Sequence, residues 1–177
     1  MRRGRHQGNM EDLTDLIPKK YQEAEFSKIP KNIRTKLSSL KDKGLYMWGS
    51  CGTGKTYICY AIFKEGRAKG MDIMIKNFPM FLSQIKGKDN INDEVRDLAS
   101  YKGVLILDDV GAEKMTEWVS EAMYIIINTR YENCLPTILA SNLSLEDIGE
   151  TVGDRIPSRI TEMCHIEKIG GDDKRLK

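Results

Sequence analysis

Apolar residues along the 177-residue chain fall into two patterns, and their alternation predicts most of the architecture. Short, nearly unbroken apolar runs occur at 45–48, 71–76, 104–107 and 136–140. Runs of that length fit strands buried on both faces. Between them, apolar residues recur at helical spacing. Ile33, Leu37 and Leu40 predict a helix over 32–43 closed by Gly44, and Ile58, Ala61 and Ile62 predict a second. Asn77 is placed to cap a helix carrying Phe78, Phe81, Leu82 and Ile85, and after a polar break at 87–90 another follows around Val95 and Leu98. Residues 116–132 carry a wide apolar stripe through Trp118, Val119, Ala122, Met123, Ile126 and Ile127, so a long helix should pack on the sheet. Ser144 with Asp147 has the spacing of a capping box for a short helix up to Gly149, residues 154–163 form a further helix, and 164–169 alternate like a final strand. This β-α alternation implies an α/β domain with a five-stranded parallel sheet covered by helices on both faces. An irregular lead-in through Ile17, Pro18, Tyr21 and Phe26 is placed to pack beside a bound base.

Length is consistent with one domain, over 17–177, behind a flexible tail at 1–16 that is basic through Arg2, Arg3, Arg5 and His6. Such a tail could be an arm for nucleic acid, but short basic tails are common and leader sequence is the readier reading. With 28 Lys+Arg against 26 Asp+Glu, the net charge of +2 gives no global argument for a nucleic-acid or membrane partner. Cys51, Cys59, Cys134 and Cys164 contain no C-x-x-C pair, which argues against a disulfide framework or zinc site and for reduced thiols. No apolar run approaches the ~20 residues that span a bilayer. A soluble, cytoplasmic protein without membrane association is expected.

The first run stops in Gly49-Ser50-Cys51-Gly52-Thr53-Gly54-Lys55-Thr56, the pattern G-x-x-x-x-G-K-[ST], followed by Tyr57 and the start of a helix. Glycines let the backbone turn tightly and aim N–H groups at an anion, and the helix N-terminus adds its positive dipole end. Lys55 would reach the β- and γ-phosphates of ATP, and Thr56 would ligate Mg²⁺.

Four apolar residues from Val104 lead to Asp108-Asp109, 53 residues after Lys55. Asp108 would hold Mg²⁺ through water, and Asp109, one residue on, is the candidate general base that orients the attacking water. The fourth run ends in Ser141-Asn142. If that strand lies between those bearing Gly49 and Asp108, Asn142 faces the γ-phosphate; otherwise it is an ordinary turn residue. Arg155 and Arg159 are four apart on one helix, so both project from one face. They read as solvated, as partners of Asp154 or Glu162, or as a finger reaching a neighbouring subunit's nucleotide.

These motifs, with Arg130-Tyr131-Glu132 and the stretch 154–160, resemble the AAA+ ATPases of the bacterial replicative helicase loaders DnaC and DnaI and the similar IstB-like transposition ATPases. The resemblance runs from about Ile17 onward. It implies an AAA+ (ASCE) P-loop NTPase of three layers without a C-terminal helical lid. Only 18 residues follow Arg159, so a neighbouring subunit is expected to cover the nucleotide. It implies Asn142 in the role called sensor 1, Arg159 as the finger, Arg155 as its accessory, and Arg175 close to the nucleotide. It further implies a homo-oligomer in the ATP state that loads or remodels a replicative helicase hexamer on single-stranded DNA, with a transposase as the alternative partner. The family's DNA-lining insertion corresponds to 77–101, where Lys76, Lys86 and Lys88 accompany Phe78 and Phe81. Only 48 residues precede Gly49, so a reduced partner-binding part is expected. Two rivals remain at this point. One is a small-molecule P-loop kinase, for which no arginine-rich lid appears between the third and fourth strands; the other is a nucleotide-gated binding module without turnover.

Overall fold

A computed structural model describes residues 16–171, so the basic tail and Arg175 lie outside the described residues. Two 3₁₀ turns, Lys19–Tyr21 and Phe26–Lys28, form the lead-in. The regular elements are α1 (Lys31–Leu37), β1 (Gly44–Trp48), α2 (Lys55–Ala68), β2 (Ile73–Asn77), α3 (Phe78–Ile85) and α4 (Ile91–Ser100), then β3 (Val104–Val110), α5 (Glu117–Glu132), β4 (Thr137–Ser141), α6 (Leu145–Val152), α7 (Arg155–Met163) and β5 (Cys164–Lys168). All five strands are parallel in the order β2-β3-β4-β1-β5.

Strand residues alternate between two cores. Tyr46, Leu105, Leu107 and Leu139 face the side covered by α3 to α7, while Leu45, Met47, Ile106 and Ile138 face the lead-in, α1 and α2. The three-layer α/β fold expected from the sequence is therefore present. Ile17, Ala24 and Ile29 bury the lead-in against α2, where Tyr21 stacks on Tyr60 with ring centroids 4.9 Å apart.

Two helix ends differ from expectation. α1 stops at Leu37 instead of reaching Lys43, because Ser38 and Ser39 donate their hydroxyls back to Thr35 O (2.6 Å) and Lys36 O (3.0 Å) and draw the chain into turns. Gly44 closes no helix; it opens β1, where a Cβ would lie 2.3 Å from Thr137 O, so only glycine lets the strands approach. α6 continues past Gly149 to Val152, its complete Ser144–Asp147 capping box securing the first turn.

Arg130 of α5 is fully buried, with no carboxylate partner among the described residues. Its guanidinium donates to Thr137 Oγ1 (2.7 Å), Ala99 O (3.3 Å), Tyr101 O (2.9 Å), Gly103 O (3.1 Å) and Pro136 O (2.8 Å). It thereby ties the end of α4 to the starts of β3 and β4. Burial pushes its pKa down to about 10.

Candidate functional site

Parallel strands aim their C-terminal ends at one edge of the sheet, and all the predicted chemistry except Arg155 and Arg159 of α7 leaves from that edge. β1 runs into the glycine-rich loop, whose first residue is held against the end of β5. A Cβ on Gly49 would lie 2.2 Å from Ile169 O. Gly54, in the left-handed region at φ 101°, turns the chain into α2, so Lys55 and Thr56 open the helix with the loop amides ahead of them. Thr53 Oγ1 donates to Ser50 O (3.0 Å), while Ser50 and Cys51 are exposed.

Lys55 turns back onto its own loop. It is buried, with Nζ donating to Gly49 O (2.7 Å) and Ser50 O (2.9 Å), and burial lowers its pKa. The ammonium therefore closes the loop on itself. Tyr57 is also committed, its hydroxyl accepting from Glu25 N (3.1 Å) and so joining α2 to the lead-in.

Thr56 Oγ1 donates to Asp108 Oδ1 at 3.3 Å. Asp108 is buried, and desolvation with the adjacent Asp109 charge raises its pKa to about 6. This is a pair of hard oxygen donors around a carboxylate that has no salt bridge among the described residues, the chemistry that suits Mg²⁺, which takes few protein ligands. No cluster of three or more His, Cys, Asp or Glu suited to a metal occurs among the described residues.

The β3–β4 register shifts between Leu107 and Val110, and Asp109 takes φ 60°. The bulge swings Asp109 out of the ladder. Its Oδ2 accepts from Asn77 Nδ2 (2.9 Å), and Asn77 Oδ1 accepts from Met80 N (3.1 Å) as the cap of α3. The sequence identifies the cap but not the contact with Asp109. Strand pairing of Asn77 with Asp108, invisible before the order of strands is known, creates it. Glu113, also unsingled by its spacing, folds over the following turn, accepting from Gly111 N at 3.3 Å; burial raises its pKa, and its Oε2 has no hydrogen-bond partner among the described residues.

β4 lies between β3 and β1, which was the condition for Asn142 to face the same edge. Asn142 follows β4 directly, half-buried. Arg155 is exposed, and Arg159 pairs with neither Asp154 nor Glu162. Arg159 Nε donates to Asn128 Oδ1 (2.7 Å), and its guanidinium sits 5.2 Å from the Tyr124 ring and 5.7 Å from Tyr131. Glu162 instead accepts from the Tyr131 hydroxyl.

In the 77–101 segment, Phe78 and Phe81 are core residues and cannot stack on bases. Lys76, Lys86 and Lys88 are exposed, with Lys88 paired to Glu94 at 2.8 Å. All four cysteines are free, with Cys51 and Cys134 exposed. No helix among the described residues is long and apolar enough to cross a membrane.

A family described as IstB-like ATP binding protein matches residues 1–177. The chain is 34% identical over 150 residues to the replicative helicase loader DnaI of Bacillus subtilis, covering 76% of this chain and 48% of that one. It is 26% identical over 145 residues to the insertion sequence IS21 putative ATP-binding protein of Pseudomonas aeruginosa, covering 77% and 54%. It thus spans about half the length of these relatives. Among solved structures, a crystal structure of DnaI superposes with a TM-score of 0.75 at 26% identity, over 90% of this chain and 94% of that one. The DnaC helicase loader superposes at 0.72 and 27%, over 86% and 100%. AMPPCP-bound DnaA from Aquifex aeolicus superposes at 0.67 and 25%, over 84% and 50%.

Proposed function

The chain belongs to the family of IstB-like ATP binding proteins, and from that premise we propose that it hydrolyses Mg·ATP, assembles with further copies through the nucleotide, and loads or remodels a replicative helicase on single-stranded DNA. The observation that carries this reading is the convergence, on one sheet edge, of a glycine-rich loop, the Thr56–Asp108 oxygen pair and the outward-turned Asp109, with Asn142 just past the end of the strand between them. In this reading Gly49 to Tyr57 bind the nucleotide, Thr56 and Asp108 hold the magnesium ion, which neutralises phosphate charge, Asp109 orients water, and Asn142 contacts the γ-phosphate. Arg159, assisted by Arg155, serves the nucleotide of an adjacent copy. The likeness to DnaI supports replication as the setting.

The family description and the IS21 relative support a second reading, an ATPase that assists a transposase. A kinase is disfavoured because the stretch between β3 and β4 is occupied by α5, whose Arg130 is buried among carbonyls instead of being free to close on a substrate.

The test is capture from the native host with the Asp109→Asn protein in ATP, which should bind nucleotide and stall. Recovery of a hexameric helicase supports the loader and recovery of a transposase supports the alternative. Single-stranded DNA binding should require ATP, weaken with salt and fall on charge reversal of Lys86 and Lys88. Capture of neither partner together with ATP-independent DNA binding would refute both.

A further inference from the structure

Ser141 is the last residue of β4, is completely buried, and touches all three nucleotide motifs. Its carbonyl accepts from Gly49 N (3.3 Å), the first amide of the phosphate loop. Its hydroxyl donates to Val110 O (2.6 Å), just past Asp109, and accepts from Leu143 N (3.0 Å), just past Asn142.

The bulge explains why a side chain is needed here. Leu107 pairs with Leu139 and Val110 with Ser141, so three steps on β3 face two on β4. An inserted residue disrupts the local ladder, and a buried carbonyl without a partner is unfavourable. The Ser141 hydroxyl gives Val110 O a bond that does not depend on the disturbed ladder. Having one proton, that oxygen then remains free to accept from Leu143 N. Leu143 is fixed twice more: its carbonyl accepts from the Tyr46 hydroxyl (2.7 Å), and its side chain packs where a Cβ on Gly111 would come within 2.8 Å. Ala112 N donates to Asp109 O (3.1 Å) and closes the intervening turn. Asn142 is thus bracketed by groups anchored to the turn that carries Asp109.

We infer that Ser141 is a positioning residue whose hydroxyl couples the turn bearing Asp109 to the segment bearing Asn142, keeping the water-orienting carboxylate and the phosphate-facing amide in register during ATP hydrolysis. The inference rests on the ATP-hydrolysing reading above. Its two kinds of bond separate two functions. The link to Gly49 is made by backbone and survives any substitution, whereas the two side-chain links to the hydrolytic side, which reinforce the Val110–Ser141 strand pairing across the bulge, are made by the hydroxyl.

The experiment measures nucleotide affinity with a fluorescent ATP analogue, turnover by phosphate release and the thermal midpoint, on the full chain. Ser141→Ala should bind nucleotide within about three-fold of the parent, yet turn over on the order of 10- to 100-fold more slowly, the scale expected for sub-ångström to 1 Å misplacement of reacting groups. Ser141→Thr, which keeps the hydroxyl, should recover most of the rate. Ser141→Ala combined with Asn142→Ala should be no slower than Asn142→Ala alone, because the hydroxyl acts through that amide. Tyr46→Phe removes the hydroxyl that holds Leu143 O and also meets the Ser141 side chain, and should lower turnover several-fold with affinity retained; it decides the matter if Ser141→Ala does not fold. Unchanged turnover in Ser141→Ala, equal loss of affinity and rate, or multiplicative losses in the double variant would overturn the coupling. Absence of hydrolysis by the parent protein in assembled form would overturn the reading beneath it.

Discussion

Replacing Arg130 by lysine should destabilise the fold at least as much as replacing it by methionine, although lysine preserves the charge. The buried guanidinium makes five hydrogen bonds, all to neutral oxygens. At ~1 kcal/mol net apiece they contribute roughly 5 kcal/mol. Against this stands desolvation of the ion, which takes the pKa from 12.5 to about 10 and, at ~1.4 kcal/mol per unit, costs on the order of 3 kcal/mol. Methionine removes both contributions and leaves carbonyls of Ala99, Tyr101 and Gly103 short of a donor, while Pro136 O still accepts from Leu105 N. A net loss of about 3–5 kcal/mol follows. Lysine has at most three donors at a single point, so it forfeits at least two bonds and keeps the buried charge. It can escape only by losing its proton. Its folded pKa would then fall below the unfolded value of ~10.4, the unfolded chain would bind more protons, and stability would rise with pH. Urea denaturation at pH 7 and pH 9 checks this. Arg130→Lys should gain stability between those pH values and Arg130→Met should not. A lysine variant within about 1 kcal/mol of the parent at pH 7 would refute the argument, since it would mean that the fan of five bonds is not needed.

Lys55→Ala should lose measurable ATP binding in a fluorescence titration and also lower stability by about 1 kcal/mol, because Gly49 O and Ser50 O lose their donor; retained affinity would remove the phosphate-loop assignment. Asp108 is an acid whose folded pKa, about 6, lies above its ordinary value of 3.8. Its contribution to stability is therefore complete below about 4 and lost as pH rises through 6. A bound Mg²⁺ would compensate for that loss, so the thermal shift from adding Mg²⁺ to the ATP complex should be larger at pH 7.5 than at pH 5.5, and equal shifts would exclude Asp108 as ligand. Asn77→Ala should weaken the fold by ~1 kcal/mol through loss of the α3 cap and lower turnover through release of Asp109, whereas Asn77→Ser, which keeps a capping oxygen without the amide donor, should lower turnover with little change in urea midpoint. Arg159→Ala should bind ATP but not turn it over, and mixing it with Lys55→Ala should restore some activity; no rescue at any protein concentration would exclude a finger acting between copies.

Strand and helix types were legible because their signals are local: unbroken apolar runs for buried parallel strands, and 3.6-residue spacing with caps at Asn77 and Ser144 for helices. The glycine-rich loop and the acid pair were legible for the same reason. What escaped depends on long-range pairing. The contact between Asn77 and Asp109 exists because β2 lies beside β3, and the links of Ser141 exist because a bulge displaces Val110. Arg130 carries no sign of burial in its neighbourhood, since five acceptors from distant segments create its site. Gly44 misled for a related reason: a glycine after a helical pattern reads as a stop, and the Thr137 carbonyl that demands it is 93 residues away.

The place of β1 in the sheet also bears on how the protein comes into being on the ribosome. Its two neighbours are β4 and β5, and Gly44 pairs with Cys164, 120 residues later. At the usual ~5–20 residues per second, the phosphate-loop strand waits several seconds or more for either flank to be synthesised. Until then its apolar residues lie exposed, and Gly49 lacks both the Ser141 carbonyl and the backbone of Ile169 that hold it. A nascent chain should therefore be unable to bind nucleotide until nearly all of the described residues have emerged, and Leu45 to Trp48 should be the stretch that chaperones protect in the meantime.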